Sequence, residues 1–106
     1  MAPIEAISLE SSAMNVGGRI LTSDYIDSVK KVAKKSKIKM HLDGARSWNA
    51  AVGSGAEMAD MVKHFDIVNV CLSKGMGCPI GSMIAGTEED IKKARIYRKM
   101  LGGGMR

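Results

Sequence analysis

A lysine and an aspartate are the residues of this chain that could perform chemistry together. Lys74 follows a short apolar stretch and precedes a glycine in the segment CLSKGMGCPIGS, residues 71–82. Asp43 lies in the segment HLDGAR, residues 41–46. A lysine held in such a loop can form a Schiff base with a carbonyl cofactor, and an aspartate at the end of a neighbouring strand can keep the cofactor's ring nitrogen protonated. The pair therefore indicates a bound cofactor.

Each of these residues has an ordinary structural explanation when it is taken alone. A lysine beside a glycine is usually a solvated loop residue, and an aspartate followed by a glycine is most often part of a turn. His41 stands two positions before Asp43, so both side chains share one face of a strand, which would suit a metal ion. No third ligand is apparent in the sequence, and we therefore expect no metal site. His41 is better explained as a supporting or core histidine.

Alternating apolar patterns predict the strands and helices that must position these side chains. Short apolar stretches predict strands near residues 4–9, 38–42, 67–72 and 79–85. Helices are predicted over residues 23–36, 46–52 and 56–64, and from residue 88 until the glycines at 102–104 end the last one. Asp43 and Lys74 then both follow strand ends. Ligands of open α/β sheets bind beyond the carboxyl ends of the strands, so the placement has a geometric reason.

Composition excludes several classes of function. The chain has 106 residues, 45% of them hydrophobic and 25% charged, which is typical of one small globular domain. Its net charge of +5 is spread over lysines on helix faces, and aromatic residues for base stacking are scarce, so we expect no nucleic-acid partner. Cys71 and Cys78 lack the spacing of a zinc site, and two cysteines make no disulfide framework. With neither a signal peptide nor a membrane span in the sequence, we expect no membrane partner and a cytoplasmic location.

Three separated segments resemble one known family. HLDGAR at residues 41–46, LSKGMGCPIG at residues 72–81 and RKMLGGGMR at residues 98–106 together resemble the threonine aldolases of the pyridoxal-phosphate fold-type I superfamily. The resemblance implies an α/β fold, a fragment of the aminotransferase-like large domain with mostly parallel strands and flanking helices. Residues 1–106 would then be a partial cofactor-binding large domain, without the family's N-terminal portion and C-terminal small domain. It also implies a homo-oligomer.

The resemblance assigns the cofactor-binding roles to three residues. Lys74 would form the Schiff base with pyridoxal 5'-phosphate and act as the catalytic residue. Asp43 would pair with the pyridinium nitrogen, so that the ring accepts electrons when a substrate bond breaks. Ser73 would hydrogen-bond the cofactor phosphate, although a plain loop serine explains it equally well.

Substrate binding is assigned in the same way. Arg46 would bind the α-carboxylate of an amino-acid substrate, for which a planar bidentate donor is well suited. Lys99 and Arg106 match a basic pair that lies close to the active site in the family, and an exposed helix face remains the alternative explanation for both. The implied reaction is the retro-aldol cleavage of L-threonine or L-allo-threonine to glycine and acetaldehyde, which makes the protein a carbon–carbon lyase.

Two differences from the family pattern favour a second hypothesis. Ser11 stands where the family usually has an asparagine, and Ala13 stands where it has a histidine thought to lie near the substrate hydroxyl. An alanine cannot transfer a proton, and the missing flanking segments would remove the residue that stacks on the cofactor ring. The alternative is therefore a truncated, inactive homologue that acts as a non-enzymatic or partner-binding fragment. We expect weak or undetectable turnover by the chain alone.

Overall fold

The computed structural model of the chain describes residues 2–104 and consists of one four-stranded sheet with flanking helices. The strands lie side by side in chain order, as β1 (Ala6–Glu10), β2 (Lys39–Gly44), β3 (Ile67–Cys71) and β4 (Ser82–Gly86). The helices are α1 (Ser23–Lys35), α2 (Ser47–Ser54), α3 (Met58–Val62) and α4 (Glu88–Met100), with a short 3-10 helix at Met14–Val16. The strands β1, β2 and β3 are parallel, and β4 runs antiparallel to β3. The prediction of an α/β fold with mostly parallel strands is confirmed.

Local signals define α1, the helix that connects the parallel strands β1 and β2. The hydroxyl of Thr22 accepts a hydrogen bond from the backbone N–H of Tyr25 and so caps the first turn. Ile26 and Ala33 are buried, while the lysines of the helix are exposed or half-buried. The predicted start of the helix at Ser23 is confirmed. This start was predictable because the signals that define it come from neighbouring residues in the sequence.

The core is built around one face of β2. Met40 and Leu42 are each only 1% exposed, and Val68 from β3 and Met61 from α3 are also buried. Side chains alternate between the two faces of a strand, so the odd-numbered residues of β2 project from the opposite face. Burial of Met40 and Leu42 thus fixes the direction in which the Asp43 side chain points.

The last strand begins later than predicted. The sequence predicts a strand from Pro79, whereas β4 begins at Ser82. The backbone N–H of Leu72 donates to the carbonyl of Gly81 at 2.9 Å, and the Leu72 carbonyl accepts from the N–H of Cys78 at 3.0 Å. These two bonds close residues 72–81 into a loop. Residues 79–81, which were predicted to begin the strand, therefore belong to the loop.

An ion pair fastens α4 to the sheet. Thr87 caps the helix by accepting from the N–H of Asp90, whose carboxylate contacts Lys39 Nζ of β2 at 2.6 Å. Hydrogen bonds from Lys39, first, and from Thr87 hold the pKa of Asp90 below its ordinary value. The helix ends before Gly102, whose φ of 73° suits a residue without a side chain. Within residues 2–104, no helix is long and apolar enough to cross a membrane.

Candidate functional site

The carboxylate of Asp43 is oriented by two donors that reach the same oxygen. Its Oδ1 accepts the backbone N–H of Ala45 at 3.1 Å and the side-chain amide of Asn69 at 3.2 Å. Among residues 2–104, no hydrogen bond is assigned to Oδ2. One oxygen is thus held in place while the other is available to an external donor. Asp43 is half-buried, so a donor can approach it.

The polar network around Asp43 extends across the sheet. Asn69 is the register partner of Asp43 on β3, and its amide oxygen lies 2.7 Å from Nε2 of His41. The other ring nitrogen of His41, Nδ1, lies 2.7 Å from the hydroxyl of Ser8 on β1. His41 was predicted from the sequence as a supporting residue, whereas Ser8 and Asn69 were not predicted. The alternation of side chains along β1 and β3 shows which residues share a face of each strand. Only the register between the strands places Ser8 beside His41 and Asn69 beside Asp43.

Lys74 lies in the loop that connects β3 and β4. Its side chain is exposed, as is that of Ser73 beside it. The backbone carbonyl of Lys74 accepts the N–H of Gly77 at 2.9 Å, and Gly77 has a φ of 68°, which favours glycine. This hydrogen bond forms a turn over residues 74–77 that holds the Lys74 backbone, while the side-chain amine is exposed and can extend towards a ligand.

A contact between α2 and this loop brings the two sequence motifs together. The side-chain amide of Asn49, on α2, occupies the space that a Cβ atom would take at Gly75. Because α2 begins directly after Arg46, the contact places the Lys74 loop beside the segment that follows Asp43. Asn49 was not predicted from the sequence, since nothing in the local pattern distinguishes it from an ordinary exposed helix residue.

Arg46 lies at the N-cap of α2, near the side chains of Glu10, the last residue of β1, and Met14 of the 3-10 helix. Its Nη1 is 3.8 Å from Oε1 of Glu10, and its Nη2 is 3.9 Å from the sulfur of Met14. The side chains of Arg46 and Glu10 are 30% and 39% exposed. A solvated ion pair of this kind is worth at most about 1 kcal/mol, so an incoming carboxylate can replace Glu10.

The remaining predicted site residues are Lys99 and Arg106. Lys99 is exposed in the last turn of α4, and within residues 2–104 no hydrogen bond or ion pair joins it to Asp43 or Lys74. Arg106 lies outside the described residues. The structure therefore shows Asp43, Arg46, Ser73 and Lys74 on adjacent segments, and within residues 2–104 it shows no such link for Lys99.

The two positions that differ from the family pattern are buried. Ser11 is 1% exposed, and its hydroxyl accepts the N–H of Leu21 at 3.4 Å. Ala13 is 7% exposed, and its carbonyl accepts the N–H of Gly18 at 2.9 Å. Both residues thus pack into the turn after β1 and present no ionisable group there. No group of three or more histidine, cysteine, aspartate or glutamate side chains suited to a metal ion occurs in the described part of the chain.

Comparison with solved structures gives the class to which this arrangement belongs. A crystal structure of a candidate L-allo-threonine aldolase from Listeria monocytogenes matches with a TM-score of 0.90 and 25% identity, over 96% of this chain and 28% of that protein. The model of the beta-eliminating lyase family matches residues 1–106, and the chain belongs to that family.

The chain is also similar in sequence to curated proteins of this family. The chain is 51% identical over 100 residues to the "Probable low-specificity L-threonine aldolase 2" of Arabidopsis thaliana, covering 94% of this chain. It is 41% identical over 105 residues to a low-specificity L-threonine aldolase of Candida albicans, covering 99% of this chain. The chain spans 28% and 27% of the length of these two relatives.

Proposed function

We propose that this chain carries the lysine-bearing part of a pyridoxal-phosphate-dependent threonine aldolase, which cleaves L-threonine or L-allo-threonine to glycine and acetaldehyde. The observation that carries the proposal is the oriented Asp43 carboxylate, with Oδ2 available, on a segment adjacent to the Lys74 loop. Membership of the beta-eliminating lyase family and the names of the curated relatives support it.

The residues present fit the cofactor. Oδ2 of Asp43 has the chemistry to accept a hydrogen bond from a protonated ring nitrogen, and a carboxylate held through Oδ1 needs little reorganisation to do so. The exposed amine of Lys74 can hold an aldehyde covalently, and the Ser73 hydroxyl can donate to a phosphate. When bound, pyridoxal phosphate supplies an electron-accepting ring for cleavage of the bond between Cα and Cβ of the substrate.

The substrate would be oriented by Arg46. Its guanidinium presents parallel N–H donors that match a carboxylate, and its present partner Glu10 is a solvated acid 3.8 Å away. Exchange of Glu10 for the substrate carboxylate keeps the charge of Arg46 paired throughout. This charged contact selects for a carboxylate on the substrate, and it does not select the side chain beyond Cβ.

A second function, a non-catalytic partner-binding fragment, is favoured by a different observation. Ala13 offers no proton acceptor where the resemblance expects a histidine, and exposed apolar side chains are concentrated on β4 and α4. Those side chains are Met83, Ile84, Ile96, Tyr97 and Met100, all more than half exposed. A protein partner that packs against β4 and α4 would remove exposed apolar side chains of this kind from water.

Covalent labelling tests the Lys74 assignment. The purified chain is mixed with pyridoxal phosphate, reduced with borohydride and digested, and the labelled peptide is identified by mass spectrometry. We expect the label on Lys74 and its loss in Lys74→Ala, whereas Lys31→Ala, which removes an exposed lysine of α1, keeps it. Equal labelling of wild type and Lys74→Ala would refute the assignment.

Turnover separates the two candidate functions. Acetaldehyde release from L-threonine is measured for the wild-type chain and for the Lys74→Ala variant. Release above the variant's background supports the lyase. Labelling at Lys74 without release supports the non-catalytic fragment.

A further inference from the structure

The side chains of Ser8, His41 and Asn69 form a continuous hydrogen-bonded row that ends on Asp43. The two links that involve His41 are each 2.7 Å, and the link from Asn69 to Asp43 is 3.2 Å. Each link joins neighbouring strands, since Ser8 pairs with His41 and Asp43 pairs with Asn69 in the sheet register. The row therefore depends on three strands that are far apart in sequence.

The chemistry of an ionised Asp43 and a neutral His41 gives each hydrogen bond of the row one direction. An ionised carboxylate only accepts, so Asn69 must turn its NH₂ group towards Asp43 and its oxygen towards His41. That oxygen only accepts, so Nε2 of His41 must carry a hydrogen. In the neutral ring, Nδ1 then accepts the hydroxyl hydrogen of Ser8. All three donors thus point towards Asp43, and the row ends on Oδ1.

We propose that Asn69, supported by His41 and Ser8, is a positioning residue that aims Oδ2 of Asp43 at the nitrogen of the cofactor ring. This rests on the proposed function, because it needs Asp43 to bind that nitrogen. Ala45 supplies the second donor to Oδ1 from the backbone, so the amide of Asn69 is the side-chain contact that sets the rotation of the carboxylate. Chains of aligned hydrogen bonds strengthen one another, which gives His41 and Ser8 their smaller shares.

The first test uses the chain without cofactor. The ring hydrogen on Nε2 of His41 is expected to give a slowly exchanging proton NMR signal, because Asn69 accepts it. Asn69→Leu should abolish that signal, whereas Asn15→Leu, at an exposed asparagine of the 3-10 helix, should retain it. A signal that persists in Asn69→Leu would overturn the proposal.

The second test compares two ligands that differ in one atom. Pyridoxal phosphate and its 1-deaza analogue, in which carbon replaces the ring nitrogen, are titrated into each variant. Asn69→Leu should weaken binding of pyridoxal phosphate about tenfold and leave binding of the analogue unchanged, because only the nitrogen contacts Asp43. His41→Leu should weaken it about threefold. His41→Gln, which retains a donor towards Asn69, should restore wild-type binding.

The outcomes separate a positioning role from a structural role and from failure of the proposed function. Equal weakening for both ligands in Asn69→Leu would indicate a purely structural role and overturn the proposal. Asp43→Ala provides the reference. If it distinguishes the ligands and Asn69→Leu does not, only the positioning role is refuted. If Asp43→Ala weakens both ligands equally, or if the wild-type chain binds neither, the proposed function fails and the positioning role fails with it.

Discussion

Replacement of Gly44 with alanine should weaken the fold at the point where β2 carries Asp43. A Cβ atom built on Gly44 would lie 2.5 Å from the backbone oxygen of Asn69, 2.9 Å from Oγ of Ser47 and 3.2 Å from Cγ1 of Val70. All three neighbours belong to segments packed against the end of the strand. The new methyl group would therefore meet obstacles on several sides.

The size of the effect follows from the closest contact. Carbon and oxygen atoms approach to about 3.3 Å in favourable contacts, so the overlap with the Asn69 oxygen is roughly 0.8 Å. That oxygen is part of the β3 backbone and cannot move without displacing the sheet, and the Ser47 side chain on α2 is fully buried. Overpacking of a core costs about 1–3 kcal/mol. We expect about 3 kcal/mol for Gly44→Ala, the upper end of that range, because the obstacle is backbone.

Gly75→Ala is the matched control for this variant. Its Cβ would meet only the side-chain amide of Asn49, an exposed residue that can rotate away, and neither glycine has a positive φ. Its cost should therefore stay below about 1 kcal/mol.

Urea unfolding followed by circular dichroism measures both variants. With a urea m-value of about 1.5 kcal/mol/M, Gly44→Ala should lower the unfolding midpoint by about 2 M. Equal midpoint shifts for the two variants would refute the argument from backbone contact.

Two further predictions concern the ion pair of α4 and the core. Asp90 has a folded-state pKa lowered by its bonds to Lys39 and Thr87, so it contributes stability above the ordinary aspartate pKa, and that contribution is lost as pH falls through the folded-state value. Asp90→Asn should therefore lower the free energy of unfolding at neutral pH and flatten its decline as the pH falls below the ordinary aspartate pKa of about 4, in urea titrations repeated across pH; parallel profiles for variant and wild type would contradict this. Leu42→Ala should cost about 3 kcal/mol because the side chain is 1% exposed. Val32→Ala, at a side chain 59% exposed, should change stability by less than about 0.5 kcal/mol, and a comparable loss for both in thermal unfolding would place the core elsewhere.

Elements with strong local signals were predictable from the sequence. The N-cap at Thr22 and the apolar spacing of α1 involve residues within two turns of one another, and the observed helix follows them. The alternation of Met40 and Leu42 with polar residues likewise predicted β2 and the strand end that carries Asp43. The start of β4 was misplaced because the loop before it is closed by hydrogen bonds from Leu72 to Gly81 and from Cys78 to Leu72, which join residues that have no local pattern in common.

The sequence by itself determined the chemical types at the candidate site and the strand ends that carry them. A lysine after an apolar strand and an aspartate at the end of another are readable from periodicity alone, because each depends on a few adjacent residues. Only the tertiary structure decided how Asp43 is held. Asn69 reaches it through the register of two strands that are 26 residues apart along the chain, and the loop of Lys74 reaches α2 through the contact of Gly75 with Asn49. Such contacts depend on register and close packing between distant segments, which no local pattern in the sequence specifies.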